Sequence, residues 1–197
     1  MPKLDITTQT RHLDALIETL DNPLHRKIIS NYRRHAILEI TGNATKIFTP
    51  DMTVENPVYY LNIAGQSVTL NGRDEVYTFY SSLERRESGV IVVTDEKIAV
   101  ADWGFASEAT FNSYMRGSEA PEQFDADPDK LYIHRTHVAM IWPYDEQGRM
   151  IGEHVYQHED FSRLIEVPEE EYITLDEARE KLLPLLKPLP ELTPARA

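Results

Sequence analysis

The sequence predicts an α+β fold in which N-terminal helices pack on one face of an antiparallel sheet. Three observations predict it. Before residue 50, apolar residues recur every three to four positions, the period of an amphipathic helix. After Gly89 the chain changes to β-branched runs and alternation, the period of a strand. The later strands follow one another through short turns, which favours antiparallel pairing and segregates helices to one face. A strongly bent sheet of this kind forms a cone with a cavity between sheet and helices.

The first helix is expected over 8–20, with Leu13, Leu16, Ile17 and Leu20 on one stripe. Asn22-Pro23 restarts the helix, since Asn caps and Pro suits the first turn. Leu24, Ile28, Tyr32, Ala36 and Ile40 then share a face, and Gly42 is a natural stop. Residues 43–48 suggest a further short helical turn. Thr49-Pro50-Asp51 breaks the chain, and 52–60 is extended, interrupted by Pro57. Gly72-Arg73-Asp74 precedes a third helix with Val76, Phe79, Tyr80 and Leu83 on its apolar face, ending in the charged run 84–87 and Gly89. Strands are expected over 90–100 and 103–116, with a bulge or turn at Gly104. The acidic stretch 117–130 is a loop, and 131–142 and 149–160 are strands joined by a turn at 144–148. Thr174 and Glu177 form a capping box before a short helix that Pro184 ends, and the Pro-rich last dozen residues are extended.

Composition narrows the function. The chain has no cysteine, so disulfides and thiolate metal ligands are excluded, in keeping with a reducing, cytoplasmic setting. No apolar run is long enough to span a membrane, and the first residues lack a secretory signal. A net charge of −13 argues against nucleic-acid partners and anionic membrane surfaces, because both need a basic footprint. There is no G-x-G-x-x-G, Walker-type lysine or G-x-S-x-G elbow, so nucleotide cofactors and serine hydrolase chemistry are not expected.

The helix 26–42, then FTPDMTVENP, LNGRDEVYTFYSSL and the closing DEQGRMIGEHVYQHED resemble the nuclear transport factor 2-like superfamily, SnoaL-like branch. The order and spacing of these pieces carry the resemblance rather than any one motif. It covers residues 23–165, leaving an N-terminal helical extension, 1–22, and a C-terminal extension with a short helix, 166–197. The resemblance implies a cone-shaped α+β barrel with one deep pocket, acid–base chemistry on apolar, often aromatic substrates without a cofactor, and homo-oligomers (dimers or trimers) joined through the exposed sheet face. It equally covers isomerases, cyclases and non-catalytic binding modules.

Candidate site residues concentrate in the last hairpin. Alternation puts His154, Tyr156, His158 and Asp160 on one side of the final strand. If the turn closes symmetrically about Glu146-Gln147, His137 lies opposite Tyr156 and Arg135 opposite His158. A one-residue change in the turn brings in His134 and Thr136 instead. The resemblance aligns His158 with a pocket-facing aspartate of many SnoaL-like chains. Imidazole titrates near neutral pH and serves as acid or base. No metal is expected: His154 and His158 are about 13 Å apart along a strand, too far for one zinc, although a cross-strand pair such as His137 and His154 remains open. Asp51 and Glu55 lie by the early strand, where the family fold places cavity carboxylates, although Asp51 also suits a simple turn. Asp102 and Glu108 lie among uncharged neighbours. The aromatic residues Tyr59, Tyr60, Phe79, Tyr80, Trp103, Phe105, Phe111 and Tyr114 are spread over the elements that would surround a cavity.

The resulting expectation is a cofactor-independent lyase or dehydratase acting on a small hydroxylated aromatic or polycyclic molecule, such as a lignin-derived diaryl compound. His137 or His158 would move the proton, with Tyr156, Arg135 and Asp51 completing the catalytic set. Tyr59, Tyr60, Phe79, Tyr80, Trp103, Glu108, Tyr114 and His154 would bind substrate, and the loop 117–130 would act as a lid. The alternatives are an isomerase or cyclase of a steroid- or polyketide-like substrate, and a non-catalytic binding or assembly module.

Overall fold

The computed structural model describes residues 2–84 and 89–192. The predicted end of the third helix falls on residues 85–88, and the last five residues of the Pro-rich tail also lie outside the described residues. The helices are α1 (Thr8–Thr19), α2 (Pro23–Ile40), α3 (Arg73–Glu84) and α4 (Leu175–Leu182). The strands are β1 (Thr53–Ile63), β2 (Gln66–Asn71), β3 (Ile91–Ala101), β4 (Gly104–Arg116), β5 (Leu131–Pro143) and β6 (Met150–Glu166). They form one curled, unclosed sheet in the order β2-β1-β6-β5-β4-β3.

The local signals explain most boundaries. Asn22 Oδ1 accepts from Leu24 N–H at 2.9 Å and caps α2, and Thr174 Oγ1 accepts from Glu177 N–H at 3.2 Å and caps α4. Gly42 leaves α2 with φ +66°, a conformation that suits glycine. Strand β2 has no counterpart in the sequence reading. It is a solvated edge strand, exposed at every position but Leu70, so it carries no apolar period. Its hairpin turns at Ala64-Gly65, both at positive φ, the turn hand that matches strand twist.

The sheet is not wholly antiparallel. β1 runs parallel to β6, because the last strand returns beside the free edge of the β1–β2 hairpin. The register of the β5–β6 hairpin also differs from the symmetric closure. Gly148, at φ +69°, makes the turn one residue longer, so Tyr144 bridges Met150. A second one-residue slip follows before Ile141 pairs with His154. His137 therefore pairs with His158, and Tyr156 with Ala139. Two slips of one residue cancel in parity, so the expected set of side chains still shares a face.

That face points away from the helices. Val138, Met140 and Trp142 of β5 and Val155 of β6 are buried in the main core with Leu13, Ile28, Ile29 and Tyr32 of the helices. Asn31 ties this arrangement together: its Nδ2 donates to Met52 O at 2.7 Å and to Gly148 O at 3.0 Å, joining α2 to the start of β1 and the β5–β6 turn. A second core cluster joins Ile6, Ile37, Tyr114 and Ile133 to Ile173, Ala178 and Leu182 of the C-terminal segment. No helix among the described residues is long and apolar enough to cross a membrane.

Candidate active site

Between α2 and the concave face of the sheet lies a cavity of about 50 Å³ lined by Gln9, Tyr32, His35, Glu39, Ile91, Val93, Phe111, Met140, Trp142 and Glu153, among others. Its walls are aromatic and aliphatic, and its polar groups are an amide, a phenol, an imidazole, an indole and two carboxyls. Among the described residues, no lysine or arginine lines it.

Glu153 reaches this cavity because strand parity opposes it to His154. Positions 153 and 155 turn to the helices, whereas 154, 156 and 158 turn to solvent. Its Oε2 accepts from Tyr80 Oη at 3.1 Å. Burial, then the negative charge of Glu39, push the Glu153 carboxyl well above the ordinary carboxylate range, and the Tyr80 hydrogen bond offsets only part of this. The group therefore stays protonated further toward neutral pH than an ordinary glutamate. Tyr80 Oη also lies 3.0 Å from His35 Nε2 and 3.5 Å from Tyr59 Oη. His35 Nε2 is 3.4 Å from Glu39 Oε2, one helical turn on. Trp142 meets the His35 ring in a T-shaped contact at 5.0 Å, and its buried Nε1–H makes no hydrogen bond among the described residues.

A second buried carboxyl sits behind Tyr32. Glu96 Oε1 accepts from Tyr32 Oη at 2.6 Å, and Gln9 Nε2 donates to Tyr32 Oη at 2.9 Å and to Glu96 Oε2 at 3.3 Å. Glu96 faces inward because β3 carries a bulge between Thr94 and Lys97, with Asp95 at φ +56°, which reverses the alternation of the strand. Burial raises the Glu96 carboxyl, against the hydrogen bonds from Tyr32 and Gln9. Burial also pushes the hydroxyls of Tyr32, Tyr59, Tyr80 and Tyr144 well above the usual tyrosine range, so each remains a neutral phenol.

The residues expected from sequence fall into two groups. Tyr80 and Tyr59 join the Glu153 network, and Phe79 packs against Tyr80 at 5.5 Å. None of the expected catalytic and substrate-binding residues lines the cavity itself, and the others lie outside this network as well. His137 and His158 pair on the outer face with Phe161 against both rings, at 5.7 and 4.8 Å. Tyr156, on that face, is 47% exposed. Tyr60 meets His154 edge-on at 4.8 Å, and Glu108 Oε1 lies 3.4 Å from His137 Nε2, both outside. Arg135 Nε donates to Asn112 Oδ1 at 2.7 Å. Asp51 is an exposed turn residue before β1, and Trp103 is exposed in the β3–β4 turn. Tyr114 is buried against Tyr172 in the second core cluster, where burial raises its hydroxyl to about 12. His134, the alternative to His137, is buried instead beside Ser162, its Nε2 2.6 Å from Ser162 Oγ, with burial lowering its pKa. The loop 117–130 contributes no cavity residue; Phe124 rests on His134.

Glu153, His35, Glu39, Gln9, Tyr32, Trp142 and Glu96 were not singled out as site residues. For Glu153 a signal existed: it lies between Ile151 and Val155 on one face of the strand. His35 and Glu39 flank the apolar stripe of α2 one turn apart, a pattern that also suits a helix surface.

The architecture decides the fold family. An NTF2-like protein from Anabaena variabilis aligns with a TM-score of 0.52 at 12% identity, over 73% of this chain and 96% of that one. The chain has the nuclear transport factor 2-like fold. A phenazine biosynthesis-related protein from Pseudomonas aeruginosa aligns over 87% of this chain and 93% of that one, at 12% identity and a TM-score of 0.46. No protein-family model and no curated protein sequence matches the chain. At 12% identity the likeness extends to the fold alone.

Proposed function

We propose that this protein is a cofactor-independent acid–base enzyme of the dehydratase or lyase type, acting on a small uncharged ring compound that carries a hydroxyl or carbonyl oxygen. One observation carries the reading: a carboxyl group, Glu153, held on the wall of an aromatic cavity with no lysine or arginine beside it among the described residues. A carboxyl kept protonated toward neutral pH is suited to donate a proton. In an elimination, Glu153 protonates the departing hydroxyl, which leaves as water. The carbon-bound proton lost with it leaves through Glu39, the other carboxyl on the cavity wall and one in contact with water, and the Trp142 Nε1–H donates to a substrate oxygen. Tyr32, backed by Glu96, is a second polar contact. The substrate is uncharged because, among the described residues, two carboxyls and no lysine or arginine line the cavity, so an anion would lack a permanent counter-charge. The cavity of about 50 Å³ is smaller than the roughly 150 Å³ that holds a benzene ring, so it must widen on binding.

The test is a panel of uncharged hydroxylated aromatic and polycyclic compounds, with loss of water followed by mass spectrometry. Glu153→Gln should lower turnover by roughly 10²–10⁴-fold. His137→Ala and His158→Ala, on the outer face, should not. Unchanged turnover in Glu153→Gln, or turnover confined to anionic compounds, would sink this reading.

A further inference from the structure

The Tyr80 hydroxyl has one proton and three neighbours positioned to share it: Glu153, His35 and Tyr59. His35 is 1% exposed at its side chain, and Nε2, the atom nearest Tyr80, is also the atom nearest Glu39. The Glu39 side chain is 28% exposed. A continuous row of proton-carrying atoms therefore runs from a carboxyl in the cavity to a carboxylate in contact with water.

We propose that Glu39, His35 and Tyr80 form a proton relay that restores the Glu153 proton after each turnover. The relay rests on the reading of Glu153 as the acid. Once Glu153 has given its proton to substrate, it is a carboxylate and Tyr80 donates to its Oε2. A lone pair of the Tyr80 oxygen then faces Nε2, and that contact is favourable only if Nε2 carries a proton. The proton passes from water to Glu39 and from Glu39 Oε2 to Nε2. With Nδ1 also protonated, the ring is a cation close to the Glu39 carboxylate. The Nε2–H bond then breaks as a new Tyr80 O–H bond forms, while the original Tyr80 proton moves to Glu153 Oε2. The end state is a neutral imidazole that accepts from Tyr80, and a neutral carboxyl ready to donate. One proton enters from water and one is delivered, so charge balances.

The surroundings fit this role. The titratable groups facing Glu153 and Tyr80 are His35, Glu39 and Tyr32 from α2, Tyr59 from β1 and Tyr144 after β5. The phenols are neutral donors, and Glu39 is the group with a route outward. Trp142 and Tyr80 hold the imidazole edge-on from two sides, at 5.0 and 5.7 Å between ring centres, which fixes the direction of Nε2.

The free protein suffices for the test. Nitrogen-15 NMR of His35 and carbon-13 NMR of the Glu153 carboxyl are recorded across a pH titration. Nε2 should gain a proton over the same pH interval in which Glu153 loses its own. Tyr80→Phe removes the shared atom, so the step at Nε2 should vanish while Glu153 still titrates. Glu153→Gln should abolish the step with Tyr80 in place, which guards against repacking in the phenylalanine variant. Glu39→Gln should keep the coupling but slow exchange of the Nε2 proton with water. A wild-type Nε2 indifferent to Glu153, or a step that survives Tyr80→Phe, overturns the relay. If the coupling is absent but Glu153→Gln still kills turnover, the relay falls and the acid stands. If the coupling is present but Glu153→Gln turns over normally, the coupling is structural and the relay has no part in turnover.

Discussion

At the residue scale, the buried Glu153 carboxyl is held at some expense to stability. Its folded-state pKa lies well above the ordinary value of 4.5, because burial and Glu39 disfavour the ionised form. Above pH 4.5 the unfolded chain has released this proton while the folded chain still holds it. Stability therefore falls as pH rises from 4.5 toward the raised folded value. Glu153→Gln removes this contribution, so its unfolding free energy should decline less over that window; urea titrations from pH 4.5 to 8 measure the difference, and parallel curves would contradict it. Only part of this site was legible in sequence. Residues such as His137 and His158 stand out because histidines in a strand are uncommon, yet residue type does not report which side of the sheet is covered. Glu153 looked ordinary because a glutamate beside a histidine in an alternating strand reads as solvated.

At the element scale, alternation predicted which side chains travel together, and bulges decided where each set points. The two slips in the β5–β6 hairpin preserve the face of His137, Tyr156 and His158. The Asp95 bulge turns Glu96 inward, against simple alternation from Ile91 and Val93. Neither feature has a sharp sequence signal. Gly152 is a clearer constraint after the fact: a Cβ there would lie 1.9 Å from Val58 O, where β1 closes on β6. Gly152→Ala should cost about 1–3 kcal/mol through forced displacement of the backbone, read from the shift in denaturant midpoint. It should also lower activity, since Glu153 is the next residue. An alanine variant of native stability would show that the β1–β6 contact relaxes freely.

At the scale of the whole molecule, α1 and the chain after β6 pack on the core, and α1 contributes to the cavity wall. Leu13 of α1 is fully buried in the main core, and Gln9 reaches the Tyr32–Glu96 pair. The chain after β6 holds α1 through one shared carboxylate. Asp14 Oδ2 accepts from Arg33 Nη2 at 3.0 Å, Asp14 Oδ1 accepts from Lys187 Nζ at 2.8 Å, and Arg33 Nη1 donates to Leu185 O at 2.9 Å. The Arg33 side chain is buried, so Asp14→Ala strips a nearly enclosed guanidinium of its counter-charge. A loss of about 1.5–3 kcal/mol is expected in equilibrium unfolding, the range for hydrogen bonds to charged groups. A loss below that range would mean that the tail contacts are not coupled to α1.

The sequence by itself determined the α+β class, the capped helices α2 and α4, the late run of strands and the sharing of faces within each strand. These follow from local period, caps and turns, which neighbouring residues specify. Tertiary structure alone decided which face of the sheet the helices cover, that β1 runs parallel to β6, and that Glu153, Tyr80, His35 and Glu39 meet. Those outcomes depend on contacts between residues far apart in sequence, 45 positions for Tyr80 and His35 and 73 for Tyr80 and Glu153, and on one-residue slips that reverse a strand face while leaving composition unchanged.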